Sequence, residues 1–145
     1  MQELHIEHHL GDANIEEALA IRREVFIENQ NVPEELEIDG LDDTAEHYIG
    51  YVDEQPISTA RIRLDDEGAH AKIERVSVLS EYQGSGYGKA LMIHILGELE
   101  TRGLVGARLE SQVHARRFYE RLGFSAVGET FIDAGIPHIE MKKLF

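Results

Sequence analysis

The sequence predicts one α+β domain: a mixed, mostly antiparallel sheet of about six or seven strands with about four helices on its faces. Three features carry that expectation. Strand-like runs at His47–Val52, Ile57–Leu64 and Ala71–Leu79 are separated only by the polar turns D-E-Q-P (53–56) and D-D-E-G (65–68), as in an antiparallel meander. Apolar residues recur at helical spacing in three other places. The glycine-rich stretch Y-Q-G-S-G-Y-G-K-A-L-M, Tyr82–Met92, joins the last of those strands to the longest helical stripe. At 145 residues the chain is long enough for one well-buried core and too short for two, so 1–145 is read as a single domain.

The elements follow in order. Leu4–His9 alternates loosely and reads as a first strand. Asp12 or Asn14 can cap a helix in which Ile15, Ala18, Leu19, Val25 and Phe26 share a face. Arg22 falls on that same apolar face and needs a buried partner, Glu37 or Asp39. Asn29–Asp43 holds turn formers and acids without a clean period, a loop with one short helical turn around Pro33–Leu36. After the meander, Leu91, Ile95 and Leu99 form a helical stripe with Met92 and Leu96 beside it, and Leu104–Leu109 reads as the next strand. Ala115, Phe118, Tyr119 and Leu122 mark a short helix that Gly123 closes as a C-terminal cap. Phe124–Phe131 and Ile136–Met141 finish as strands around the turn D-A-G (133–135).

Composition narrows the function classes. No apolar stretch approaches the roughly 18 residues of a membrane span, and the N-terminal M-Q-E-L-H-I-E-H-H lacks both the basic and the apolar part of a secretory signal. There is no cysteine, which excludes disulfides and thiol nucleophiles and fits a cytoplasmic protein. No H-x-x-x-H helix appears, and no metal is expected. Residues 1–58 carry 16 Asp and Glu against only Arg22 and Arg23, so the whole net charge of −14 lies there. Such a field repels phosphate backbones, which argues against nucleic acid, and it attracts cations.

Gly84, Gly86 and Gly88 give up side chains on alternate positions, at a cost in conformational entropy. A glycine-rich turn between a strand and a helix makes an anion site, because the first helical turn has unpaired N–H groups that glycines leave open to a ligand. Two phosphate motifs fail. The P-loop would need glycine at Gln83 and Ser or Thr at Ala90. The dinucleotide fingerprint needs G-x-G-x-x-G where this chain has G-x-G-x-G, and no βαβ unit is expected around it.

A third pattern fits. Q-x-x-G-x-G, from Gln83 through Gly86 to Gly88, resembles the acyl-CoA pyrophosphate loop of the GNAT superfamily of N-acetyltransferases. Ala115–Phe124, A-R-R-F-Y-E-R-L-G-F, is similar to the superfamily's A-x-x-F-Y-x-x-x-G-F helix, and it lies one strand downstream as in that family. The element order agrees over nearly the whole chain. R-x-x-V-F at Arg22–Phe26, V-P-x-E-x-E-I-D at Val32–Asp39, His47, and G-I-P-H at Gly135–His138 resemble its ElaA-like and YjcF-like branch. The chain departs from the pattern at Asn29, where that branch has glutamate, and at Gln112, where many members have asparagine.

The resemblance implies a GNAT fold with a V-shaped split between the fourth and fifth strands, and acetyl-CoA as co-substrate lying in it. Main-chain groups of Val76, Ser77 and Val78 would pair with the pantetheine arm, with Gln112 and Phe118 beside it. Gln83 and the loop Gly84, Ser85, Gly86, Tyr87, Gly88 and Lys89 would hold the pyrophosphate. Tyr119, carried over from the F-Y helix, is the implied acid that protonates the departing thiolate. Glu74 is the candidate base, placed by strand alternation on the same side as Val76 and Val78. His138 is the other titratable candidate, and Arg22 and Asp39 would line the acceptor side with it. The implied partner is a small-molecule or peptide amine, and the acidic first third suggests a cationic one. A homodimer is common among such relatives, although no patch marks a pairing surface. Two other classes stay open at this level, a CoA-binding module without transfer and a nucleotide-binding protein.

Overall fold

A computed structural model describes residues 2–145. The chain order is β1 (His5–Leu10), α1 (Ile15–Arg22), a π-helical segment (Arg23–Glu28), α2 (Glu34–Glu37), β2 (Glu46–Val52), β3 (Gln55–Leu64) and β4 (His70–Val78). It continues with α3 (Tyr87–Thr101), β5 (Gly106–Gln112), α4 (Arg116–Glu120), β6 (Ser125–Asp133) and β7 (Ile136–Leu144). The strands form one 7-stranded sheet in the order β1-β2-β3-β4-β5-β7-β6. Only β4 and β5 run parallel; every other neighbouring pair is antiparallel.

Alternation along each strand sends successive side chains to opposite faces, so the sheet is covered on both. Tyr48, Ile62, Ile73, Leu109 and Met141 pack with Leu91, Met92, Ile95 and Leu99 of α3, and with Tyr119 and Phe124 at α4. Ile49 and Tyr51, one register apart from Tyr48, point the other way and meet Ala18 and Ile21 of α1. The predicted stripe on α3 is therefore the core stripe. Among the described residues, no helix is long and apolar enough to cross a membrane.

The turns obey local chemistry. Asp53 (φ 50°) and Glu54 (φ 66°) are both left-handed, the arrangement a two-residue hairpin needs to match strand twist. Gly123 (φ 97°) closes α4, as the C-cap reading expects. At the start of α1 the expectation fails in detail. Asn14 occupies the cap position but adopts φ 56°, and no side chain there caps the helix.

One topological expectation is overturned. Because β4 and β5 are parallel and joined through α3, a βαβ crossover does surround the glycine loop. The sequence hid it because β2, β3 and β4 before the crossover, and β6 and β7 after β5, form hairpins, which makes a meander the simplest reading throughout.

Candidate active site

The parallel ladder between β4 and β5 runs only from His70↔Gly106 to Ile73↔Leu109. Beyond it β4 continues to Val78 and β5 to Gln112, and the two diverge around a cleft of about 670 Å³. The cause lies in β4. Arg61 faces Glu74 and Thr59 faces Ser77, so β4 carries one extra residue there, and Arg75 absorbs it at φ 55°. Such a bulge bends and twists its strand, which opens the split.

The bulge also corrects the expected placement of Glu74. The extra residue reverses the alternation, so Glu74 and Ser77 share one face while Val76 and Val78 lie on the other. Val76 joins the core under α3, whereas Glu74 faces the α1 side and meets Arg63, Arg61 and Lys72. Burial pushes the Glu74 carboxyl up, but the Arg63 hydrogen bond and the charges of Arg61 and Lys72 outweigh it and hold it below the usual range. A carboxylate so engaged is ionised but a poor proton acceptor.

Backbone polarity at the split follows from register. The Leu79 N–H donates to Ile57 O at 2.9 Å, which makes that pair a hydrogen-bonded one. Val78, opposite Ser58, is then a non-hydrogen-bonded pair whose N–H and C=O point away from β3 into the split. Gln83 Nε2 donates to Val78 O at 2.8 Å, so the Gln83 side chain shapes the loop and the Val78 N–H stays open.

At the glycine loop, Gly84 (φ 79°) and Gly86 (φ 91°) are left-handed, and Gly86 is the N-cap residue of α3. Ala90 is the first residue whose N–H bonds back into the helix, to Gly86 O at 3.0 Å, and no side chain caps the end. Among the described residues, the N–H groups from Gly84 to Lys89 find no protein acceptor. They sit where a 15-residue helix concentrates its positive end. Ser85 and Lys89 are exposed beside them. The Tyr87 side chain is buried against Val52 and Ile57, so only its amide faces the loop. Gly88 has helical φ, and a Cβ built there would lie 3.5 Å from Val78 Cγ2 and 3.6 Å from Phe118 Cζ, ordinary contact distances. Nothing in the protein itself demands glycine at that position.

Opposite the loop, Phe118 and Tyr119 pack edge to face with ring centroids 5.0 Å apart. Tyr119 is buried, its hydroxyl has no protein partner among the described residues, and it lines the cleft. Burial alone pushes its phenol well above the ordinary tyrosine range, so it stays protonated at neutral pH. Gln112 is already engaged: its Nε2 donates to Gln30 Oε1 at 2.7 Å, and its Oε1 lies 2.6 Å from His114 Nε2. His138 pairs with Gln112 across β5 and β7 and stacks on Phe131. Its Nδ1 lies 2.7 Å from Ile136 O, which requires the proton on Nδ1 and leaves Nε2 as the lone-pair nitrogen.

Beneath the acceptor side runs a buried charge network. Arg22, only 1% exposed, donates to Glu37 (Nε–Oε1 3.1 Å) and to Asp42 (Nη1–Oδ1 2.7 Å). Glu37 was one expected partner; Asp39 is not a partner at all. Asp39 instead takes a bidentate pair from Arg61, with both distances 2.8 Å, because the loop after α2 carries it past Arg22. Arg61 also reaches Asp42 at 3.1 Å, and Arg75 approaches Glu37 and Asp39. The Arg61 hydrogen bond holds the Asp39 carboxyl far below the usual range; for Asp42, burial pushes up but Arg22 and Arg61 outweigh it. Sequence reading missed Arg61 and Arg75. The available signal was an arginine at an otherwise buried strand position, the same anomaly that flagged Arg22.

A split sheet, a loop of open amides and a buried tyrosine across from it form one chemical arrangement, and the comparisons agree with it. A family model described as an acetyltransferase (GNAT) domain matches residues 9–145. The chain belongs to the GNAT acetyltransferase family. YjcF of Bacillus subtilis, named an uncharacterized N-acetyltransferase, is 36% identical over 134 residues, covering 92% of this chain and 94% of that protein. The crystal structure of Escherichia coli ElaA superposes with a TM-score of 0.84 at 30% identity, over 99% of both chains. A Bacillus anthracis protein described as a streptothricin acetyltransferase, solved in complex with acetyl coenzyme A, is 25% identical with a TM-score of 0.60, over 70% of this chain and 62% of that one. The GNAT fold and acyltransferase class are thus shared with relatives over the full length. Among the described residues, no group of three or more His, Cys, Asp or Glu is arranged to hold a metal ion.

Proposed function

We propose that this GNAT protein is a cytoplasmic, acetyl-CoA-dependent N-acetyltransferase that acylates a primary amine by direct attack in a ternary complex. The observation that carries the reading is the run of open N–H groups from Gly84 to Lys89 at the mouth of the split. Such a run is an anion cradle, and a diphosphate fits its charge and its hydrogen-bonding needs. The Bacillus anthracis relative's complex supports acetyl-CoA as the guest.

The co-substrate supplies the thioester carbonyl that accepts the amine. The residues of this chain do the rest. The edge of β4 at Val76–Val78 receives the pantetheine amides as a neighbouring strand would, and Phe118 packs beside the arm. The Val78 N–H, open to the split, donates to the oxyanion that forms when nitrogen adds to the carbonyl. As the C–S bond breaks, Tyr119 gives its proton to the leaving sulfur, and the proton that the added nitrogen sheds on becoming an amide restores the phenol. A thiolate desolvated in the same cleft is itself a stronger base than in water, so a phenol raised by burial can still donate to it. The incoming ammonium must lose a proton first. His138 takes it: Nε2 is the free lone pair, whereas both Glu74 oxygens are committed to cations.

Two variants test the parts. Gly88→Ala should leave the fold intact and raise stability slightly, by about 0.5–1 kcal/mol for a helical Gly→Ala change. Its methyl should nonetheless weaken acetyl-CoA binding about tenfold in calorimetry. Unchanged affinity would remove the ligand explanation of the glycines. His138→Gln should lower kcat/KM by about ten- to a hundredfold, because the amide offers no lone-pair nitrogen to take the ammonium's proton. A kcat/KM equal to that of wild type would exclude His138 as the proton acceptor.

A further inference from the structure

We infer that the acceptor half of this cleft selects a monoamine with an apolar body, alkyl or aryl, over polyamines and lysine-like acceptors. The inference rests on the transferase reading above. Two sets of observations carry it.

The first is the wall. Val25 and Phe26 of the π-helical segment and Val32 and Leu36 after it line the cleft, and so does Ile136 of β7. Leu36 is 52% exposed, an apolar ledge that the described residues leave uncovered. The wall is held in place. Asn29 Nδ2 donates to Ser80 Oγ at 2.7 Å, Glu24 Oε2 accepts from the Ser80 N–H at 3.2 Å, and Gln30 bonds Gln112. Those contacts strap the segment to both banks of the split, and the i→i+5 turn that closes at Asn29 N–H to Glu24 O sets its pitch. π-helical turns of this kind recur where a helix is re-aimed at a functional site.

The second is charge. The acids near the cleft are already paired: Glu37 with Arg22 and Arg75, Glu74 with Arg63 and Arg61, and Glu110 with Lys72. Among the described residues lining this half, Asp133 alone lacks an ion-pair partner, and it lies exposed at the rim. The excess charge of −14 still draws any ammonium toward the molecule at long range. At contact range, a second or third ammonium would meet apolar side chains and arginines. One cationic head with an apolar tail satisfies both ranges.

The test compares phenethylamine and hexylamine with spermidine and lysine, reading thiol release from acetyl-CoA. The apolar amines should exceed the others by about tenfold or more in kcat/KM, since each 1.4 kcal/mol of contact is tenfold. Leu36→Ser, at an exposed position the core does not need, should raise KM for phenethylamine about three- to tenfold without changing acetyl-CoA affinity. Faster turnover of spermidine or lysine overturns the inference. Binding of phenethylamine is also followed directly, by NMR shifts of Leu36 and Val32 methyls in the protein without acetyl-CoA. Shifts there, even with no thiol release, sustain the subsite while the transferase reading fails. Tight acetyl-CoA binding with neither methyl shifts nor preference for apolar amines sinks the subsite and leaves the coenzyme site standing.

Discussion

Arg61→Ala is expected to destabilise the fold by about 3–5 kcal/mol, the cost of leaving buried charges uncompensated. Arg61 is fully buried and holds Asp39 in a bidentate pair while reaching Asp42 and Glu74. Removing it takes a shared guanidinium from all three carboxylates and leaves Asp39 with Arg75 alone, Asp42 with Arg22, and Glu74 with Arg63 and Lys72. Arg23→Ala is the control, because Arg23 and Glu34 form a pair that is half exposed on both sides and worth about 0–1 kcal/mol. Urea denaturation of both variants decides the matter; equal losses would mean that the network contributes no more than a surface pair. The same titrations predict an acid limit. Asp39, Asp42 and Glu74 have folded-state values below their unfolded ones, so their stabilisation is complete above the ordinary carboxyl range of about 4. It is lost as pH falls through the depressed folded values, and Arg61→Ala should shrink that pH dependence.

Tyr119→Phe is expected to lower kcat by about 10²–10⁴-fold, the usual contribution of a positioned proton donor. The change removes one oxygen. Because none of the described residues pairs with that hydroxyl, its loss orphans nothing among them, and the melting temperature should hold or rise slightly. Acetyl-CoA affinity should change by less than about threefold, since the ring that packs on Phe118 and Phe124 remains. This separation of kcat from affinity distinguishes an acid from a core tyrosine. A variant that keeps most of the wild-type rate would reduce Tyr119 to packing.

Different parts of the site were legible to different degrees. The coenzyme side was readable because it is local: a strand end, a glycine turn and a helix start are contiguous in sequence, so Gly84, Gly86 and the α3 stripe announce themselves. The F-Y helix was readable for the same reason. Arg22 stood out as a charge on an apolar stripe, yet its partners could not be ranked, and Asp39 went to Arg61 instead. Glu74 was misplaced because alternation assumes an unbroken strand, and nothing in H-A-K-I-E-R-V-S-V marks Arg75 as the residue that takes the left-handed bulge.

Periodicity, turn chemistry and two short motifs determined, from the chain alone, which segments become strands and helices and where an anion could be held. Those features depend on neighbours a few residues apart. Only the tertiary structure decided that β4 and β5 run parallel and then part, that Glu74 turns away from the core, and that Glu37, Asp39 and Asp42 are engaged by Arg22, Arg61 and Arg75. Each of those outcomes depends on which distant residue comes to lie opposite, and a single inserted residue in one strand is enough to change all of its pairings.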